Sequence, residues 1–138
     1  MNIYSYLKYG ISSDIAQYLY DLGISISDIK NNSKKDLLNK YKIGDDIISF
    51  IKDCTGRKPI DEKTILKLLE KNNYMCCACK GLKSDAYIIH HIIEYSKSED
   101  NTYSNLALLC PNDHDIADLC NQMFIDMRQF VFQKSSQT

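Results

Sequence analysis

The chain has no long apolar run, no strong excess of charge of either sign, and only three histidines. Its 138 residues are 44% hydrophobic and 25% charged, an ordinary composition for a soluble globular protein. No stretch approaches the roughly 20 consecutive apolar residues of a membrane-spanning helix, so no membrane association is expected. Met1-Asn2-Ile3-Tyr4 lacks the basic-then-apolar pattern of a secretory signal. A cytoplasmic location is therefore expected, and in a reducing compartment the six cysteines point to metal before disulfide. The formal net charge of −1 gives the whole molecule no pull on a polyanion. That sum conceals a gradient. Residues 1–60 carry nine Lys and Arg against seven Asp, and residues 61–138 carry eight against eleven acidic residues. A polyanionic partner would need a local basic face, and a bound cation would offset part of the acidic half.

What is present is concentrated. All three histidines fall between Tyr74 and Asp118, in the order Cys76-Cys77-Ala78-Cys79, Ile89-His90-His91-Ile92-Ile93, Asn105-Leu106, and Leu109-Cys110-Pro111-Asn112-Asp113-His114. A double His after an apolar run, an Asn further on and a third His after Leu-Leu-Cys make a metal-site spacing.

The chain length allows one sizeable core or two small ones joined by a linker. Residues 1–54 read as a small helical domain. Ser12-Ser13-Asp14 offers an N-cap, with Ile15, Tyr18, Leu19 and Leu22 at helical spacing before Gly23. Further short helices are expected from Ser25, from Ser33 and over 43–51, where Ile47, Ile48 and Ile51 share a face. Residues 55–60, with Gly56 and Pro59, read as a linker. Residues 61–133 form a second domain. It opens with a helix over 61–71 capped by Asp61, with Ile65, Leu68 and Leu69 on one face. Tyr87-Ile88-Ile89 is a short strand carrying His90 and His91 at its end. The polar stretch 94–104 is a loop, and residues 105–110 return to the core. From Asp113 onward, Ile116, Leu119, Cys120, Met123, Met127, Phe130 and Val131 predict a long helix, ending in a polar tail over 134–138. Cys54 and Cys120 are expected in the core.

Taken together, Tyr74-Met75-Cys76-x-x-Cys79, His90-His91-Ile92-Ile93, Ser104-Asn105-Leu106-x-Leu108-Leu109-Cys110 and His114 resemble the HNH endonuclease family over about residues 60–120. The resemblance implies an α+β fold, a ββα-metal finger behind the helical domain, and metal-dependent hydrolysis of DNA. Such hydrolysis needs a base to activate water and a cation to neutralise charge on the phosphoryl oxygens and leaving group. A neutral imidazole suits the base role near neutral pH. By position in the motif His91 corresponds to the base, and His90 and His114 to ligands of one divalent cation (Mg, Mn, Ni or Zn). Asn105 would hold the base in register across the loop. Adjacent strand residues point to opposite faces, so His90 and His91 serve both roles only if the strand ends or twists there.

The family often adds a structural zinc held by two Cys pairs. Cys76 and Cys79 match the first pair and Cys110 opens the second, but the fourth position is Asp113. A carboxylate can ligate zinc, so three Cys plus Asp is one reading. The other is reduced, metal-free thiols packed as small hydrophobes.

The pattern of Gly-Ile turns within residues 1–54 resembles helix-hairpin-helix DNA-binding domains, with Lys42 where the first hairpin glycine would stand. The alternative is a small bundle that packs, self-associates or binds a protein partner. Lys42, Lys80, Lys83 and Lys97, with Arg128 on the last helix, are the candidate contacts to DNA, expected to be double-stranded. A catalytically silent DNA-binding or protein-interaction module on the same scaffold is the competing functional reading.

Overall fold

The computed structural model describes residues 3–122. The apolar positions from Met123 onward, Arg128, the tail over 134–138 and the side chains of Leu119 and Cys120 lie outside the described residues. The chain divides into two compact units, Met1–Pro59 and Ile60–Thr138.

The first unit is built from short helices: α1 (Tyr4–Leu7), α2 (Ser13–Asp21), α3 (Ile26–Asn31), α4 (Lys34–Tyr41) and α5 (Asp45–Thr55). One local device recurs at three of its turns. A residue with positive φ is followed by a buried isoleucine and then by the N-cap of the next helix. The sets are Gly10-Ile11-Ser12, Gly23-Ile24-Ser25 and Lys42-Ile43-Gly44. After α2 the amide of Ile24 donates to Leu19 O and that of Gly23 to Tyr20 O, both at 3.0 Å. This pairing satisfies the carbonyls a helix end leaves open and turns the next apolar residue inward. The next helix is then started by a side chain. Ser25 and Asp28 form a reciprocal capping box, and Ser33 Oγ accepts from Asp36 N at 3.1 Å. The three isoleucines join Tyr6, Leu19, Ile29, Leu37, Ile48 and Ile51 in one core. Lys52 of α5 donates to Ile29 O and Asn32 O at 3.0 and 2.9 Å, tying α5 to the end of α3.

Lys42 breaks the glycine rule of this device. It holds φ 54 with a Cβ present, a conformation that costs an L-residue roughly 1–2 kcal/mol. Lys42→Gly is therefore expected to stabilise the first unit by about 1 kcal/mol, after the extra flexibility of glycine in the unfolded chain is set against it. A chemical-denaturation midpoint that falls instead of rising would contradict this.

Cys54 is buried in the same core, and burial pushes its thiol from 9.0 up to about 11. The folded state thus keeps a proton that the unfolded chain loses first. The stability tied to this proton is complete below pH 9.0 and is lost as pH rises through about 11. Wild type is expected to lose on the order of 2 kcal/mol more than Cys54→Ala across this window, measured as parallel denaturation curves at each pH.

The second unit begins with α6 (Glu62–Lys71), whose Ile65, Leu68 and Leu69 are buried. After the cysteine-rich segment come β1 (Ile88–His91), α7 (Tyr95–Ser98), a 3-10 turn over Tyr103–Asn105, β2 (Leu106–Leu109) and α8 (Pro111–Gln122). β1 and β2 pair antiparallel, with Ile88 opposite Leu109 and His91 opposite Leu106. Both strands are buried along their whole length. Two details differ from the sequence reading. The stretch 94–104 is not plain loop. α7 and the 3-10 turn form where Ser98 Oγ donates to Glu94 O at 3.1 Å and Asp100 Oδ1 accepts from Thr102 N at 2.9 Å. Such side-chain-to-backbone bonds support short turns without apolar periodicity. α8 also starts at Pro111 rather than Asp113, because the missing proline N–H and fixed φ suit a first helical position.

Candidate metal and catalytic site

Strand β1 carries both adjacent histidines, and pairing continues through the second. His90 faces Ala107 across the ladder and His91 faces Leu106. Strand alternation therefore separates their rings. His90 meets His114, on the first turns of α8, with ring centroids 5.1 Å apart and planes at 86°. His90 is buried at 2% exposure, and burial, together with His114 and His91, pushes its imidazole down to about 3. It is therefore neutral at physiological pH, the form in which an imidazole ligates a metal. The pair expected to hold the cation is thus brought together across 24 residues of chain, as His90 and His114 in the sequence.

His91 turns the other way. Its ring packs against Tyr95 with centroids 5.4 Å apart, and its Nε2 lies 2.7 Å from Asn101 Oδ1. An oxygen acceptor there selects the tautomer with hydrogen on Nε2. Asn105 is buried and works on the backbone of the same loop. Its Nδ2 donates to Ile93 O at 3.2 Å and Asp100 O at 2.9 Å, and its Oδ1 accepts from Ile93 N at 2.9 Å. Its own carbonyl accepts from Ile92 N at 2.8 Å. Asn105 thus fixes the path of the loop between Ile93 and Asp100, and Asn101, next on that loop, is the side chain that reaches the ring. Sequence reasoning missed Asn101. It sits in a polar stretch without periodicity, and nothing in its spacing marks it.

A second cluster gathers at the start of α8. One ligand atom from each of Cys76, Cys79, Cys110 and Asp113 lies within 4.8 Å of all the others, and all four residues are buried. Cys79 Sγ and Cys110 Sγ are 3.9 Å apart, close to the roughly 3.8 Å edge of a tetrahedron with metal–sulfur bonds of ~2.3 Å. Asp113 Oδ2 is 3.2 Å from Cys76 Sγ and 3.4 Å from Cys110 Sγ. The amides of Ala78 and Cys79 point at Cys76 Sγ, and the amide of Asp113 at Cys110 Sγ, each at 3.4 Å. The residues present fit a four-coordinate ion. Burial raises the Cys76 thiol and pushes Cys110 up to about 12, so without an ion these two stay protonated. Asp113 is desolvated, yet bonds from Lys83, Cys76 and Cys110 hold its carboxyl below the usual range. Cys77 is buried and its amide donates to Leu108 O at 2.8 Å, which docks the cysteine loop onto β2. Asp113 and His114 are consecutive on α8, so the cluster that grips Asp113 also fixes where His114 stands.

The candidate DNA contacts are scattered. Lys97 is exposed on α7, and Lys80 is exposed in the cysteine loop. Lys83 Nζ is engaged at 2.6 Å by Asp113 Oδ1, a buried partner and not an open surface. Lys42 is exposed before α5, but the first turn of that helix carries Asp45 and Asp46, whose charges oppose a phosphate at that end.

A two-stranded antiparallel sheet, a helix packed on it and imidazoles at their junction make a small α+β unit, in which Cys76, Cys79, Cys110 and Asp113 could hold a metal. Residues 75–117 match the family model for HNH endonuclease. The match supports nuclease activity on nucleic acid and a role for a divalent metal. No curated protein and no solved structure gives a significant match to the chain. Among the described residues, no helix is long and apolar enough to cross a membrane.

Proposed function

We propose that the protein is an endonuclease that hydrolyses phosphodiester bonds of double-stranded DNA. In this reading residues 61–133 are the nuclease domain and residues 1–54 a helical accessory domain. The observation that carries it is the approach of His90 and His114, with His91 the next residue on β1. His90 and His114 would hold one divalent cation, Mg, Mn, Ni or Zn. Bound there, it would neutralise charge developing on the phosphoryl and leaving oxygens. His91, the last residue of β1, takes the proton from the attacking water. Asn101 orients that imidazole, and Asn105 holds the loop that carries Asn101. Cys76, Cys79, Cys110 and Asp113 would hold a structural zinc that sets the start of α8. Lys80 and Lys97 are left to grip phosphates.

Incubating supercoiled plasmid with the full-length protein and Mg2+ or Mn2+ tests the reading. Nicking or linearisation that stops with a chelator is expected. Absence of cleavage across several metals and substrates would favour the catalytically silent module. For residues 1–54 a second role has its own support. The acidic first turn of α5 disfavours a phosphate grip, while Tyr18, Tyr20, Leu22 and Leu38 are each more than 40% exposed, as a protein-docking or self-associating surface would be.

A further inference from the structure

Of the four side chains around the cysteine cluster, Asp113 differs in offering two donor atoms where a thiolate offers one. Its two oxygens are differently used. Oδ2 faces the sulfurs, 3.2 Å from Cys76 Sγ and 3.4 Å from Cys110 Sγ. Oδ1 faces away and receives the Lys83 ammonium at 2.6 Å. The Asp113 side chain is 4% exposed and that of Lys83 is 47% exposed, so the lysine reaches in from solvent to a buried carboxylate. The local backbone makes this reach possible. Lys80 and Gly81 both take positive φ, 56° and 85°, and turn the chain back after Cys79. Lys83 Nζ is also 3.4 Å from Asn112 Oδ1, so two consecutive residues at the start of α8 bracket the ammonium.

Resting on the reading of this cluster as a metal site, the geometry points to Lys83 as a positioning residue for the ion. By occupying Oδ1 it leaves Asp113 only Oδ2 to give, so the carboxylate acts as a one-atom donor and the site stays four-coordinate. It also balances charge. Three thiolates and a carboxylate around a dication leave two surplus negative charges in a buried place, and the ammonium cancels one of them. A carboxylate free to bind through both oxygens would raise the coordination number and favour larger, oxygen-seeking ions over zinc or cobalt. Lys83 thus belongs to the specificity of the metal site, and Asp113 and Lys83 together replace what a fourth cysteine would do alone.

The test uses full-length protein, zinc competed against a chromophoric chelator, and Co2+ as a spectroscopic probe. Wild type is expected to take up one equivalent of either metal, with the intense visible bands of tetrahedral cobalt. Lys83→Ala, at a half-exposed position, is expected to weaken zinc binding by about 10–100-fold and to dim the cobalt bands as coordination number rises. Lys83→Arg restores most of both. In an Asp113→Cys background, where the fourth ligand has a single donor atom, Lys83→Ala has a much smaller effect. Zinc affinity and cobalt spectrum unchanged in Lys83→Ala would overturn the inference, as would a loss of the same size in both backgrounds. Wild type that binds neither metal would instead overturn the metal-site reading itself, taking this inference with it.

Discussion

Replacing His91 by alanine is expected to slow plasmid cleavage by roughly 10²–10⁴-fold, the usual contribution of a positioned general base. Metal uptake should be unchanged, because the ring faces Tyr95 and Asn101 and not His114. The separation matters for interpretation. His90 and His114 meet on the α8 side of β1, so replacing either should weaken binding of the cation and lower activity through metal occupancy. His91→Ala should leave occupancy intact and lower the rate even at saturating metal. Activity titrated against Mg2+ or Mn2+ distinguishes the two: a lower plateau for His91→Ala, a shifted midpoint for His114→Ala. A His91→Ala protein that cuts at the wild-type rate would remove His91 from the base role.

Stripping the metal from the cysteine cluster should have the largest structural consequence. The hydrophobic cluster around it consists of Cys76, Cys77, Cys79, Ala107, Leu109, Cys110 and Ala117. Small side chains dominate, and little apolar area is available there to substitute for an ion. Structural zinc in small folds contributes about 10–16 kcal/mol in apparent binding free energy, comparable with the ~5–15 kcal/mol that holds a whole domain folded. Chelation is therefore expected to abolish hydrogen-exchange protection in β1, β2 and α8. Protection in α2 to α5 should persist, because that unit has its own core of large aliphatic residues. The sign with pH follows from the thiols. Burial raises Cys76 and pushes Cys110 up to about 12, so loading must displace protons, and affinity falls as pH falls. Protection of β1 and β2 that survives complete removal of metal would mean that the cysteines are packed thiols and that the fold needs no ion.

Several of the elements that position the site were legible in the residues themselves. Ser25 and Ser33 mark helix starts, Ile65, Leu68 and Leu69 mark one helical face, and the apolar run before His90 marks a strand. Each depends on neighbours within a turn or two. The HNH resemblance was likewise carried by the order and identity of Cys, His and Asn anchors along the chain. The short helix α7 was not legible, because its support is a few hydroxyl-to-carbonyl bonds that leave no periodic trace.

From its residue order alone, this protein was committed to a helical first half, a cysteine- and histidine-bearing second half and an HNH-type set of anchors. Those properties follow from local capping, apolar spacing and residue type. Tertiary structure alone decided the partners. The β1–β2 register continues pairing through His91, which sends His90 toward His114 and His91 toward Asn101. The fold of the cysteine loop puts Lys83 on Asp113, thirty positions away. Both outcomes depend on contacts between distant segments, and a hydrogen bond across such a distance exists only once the intervening chain has folded.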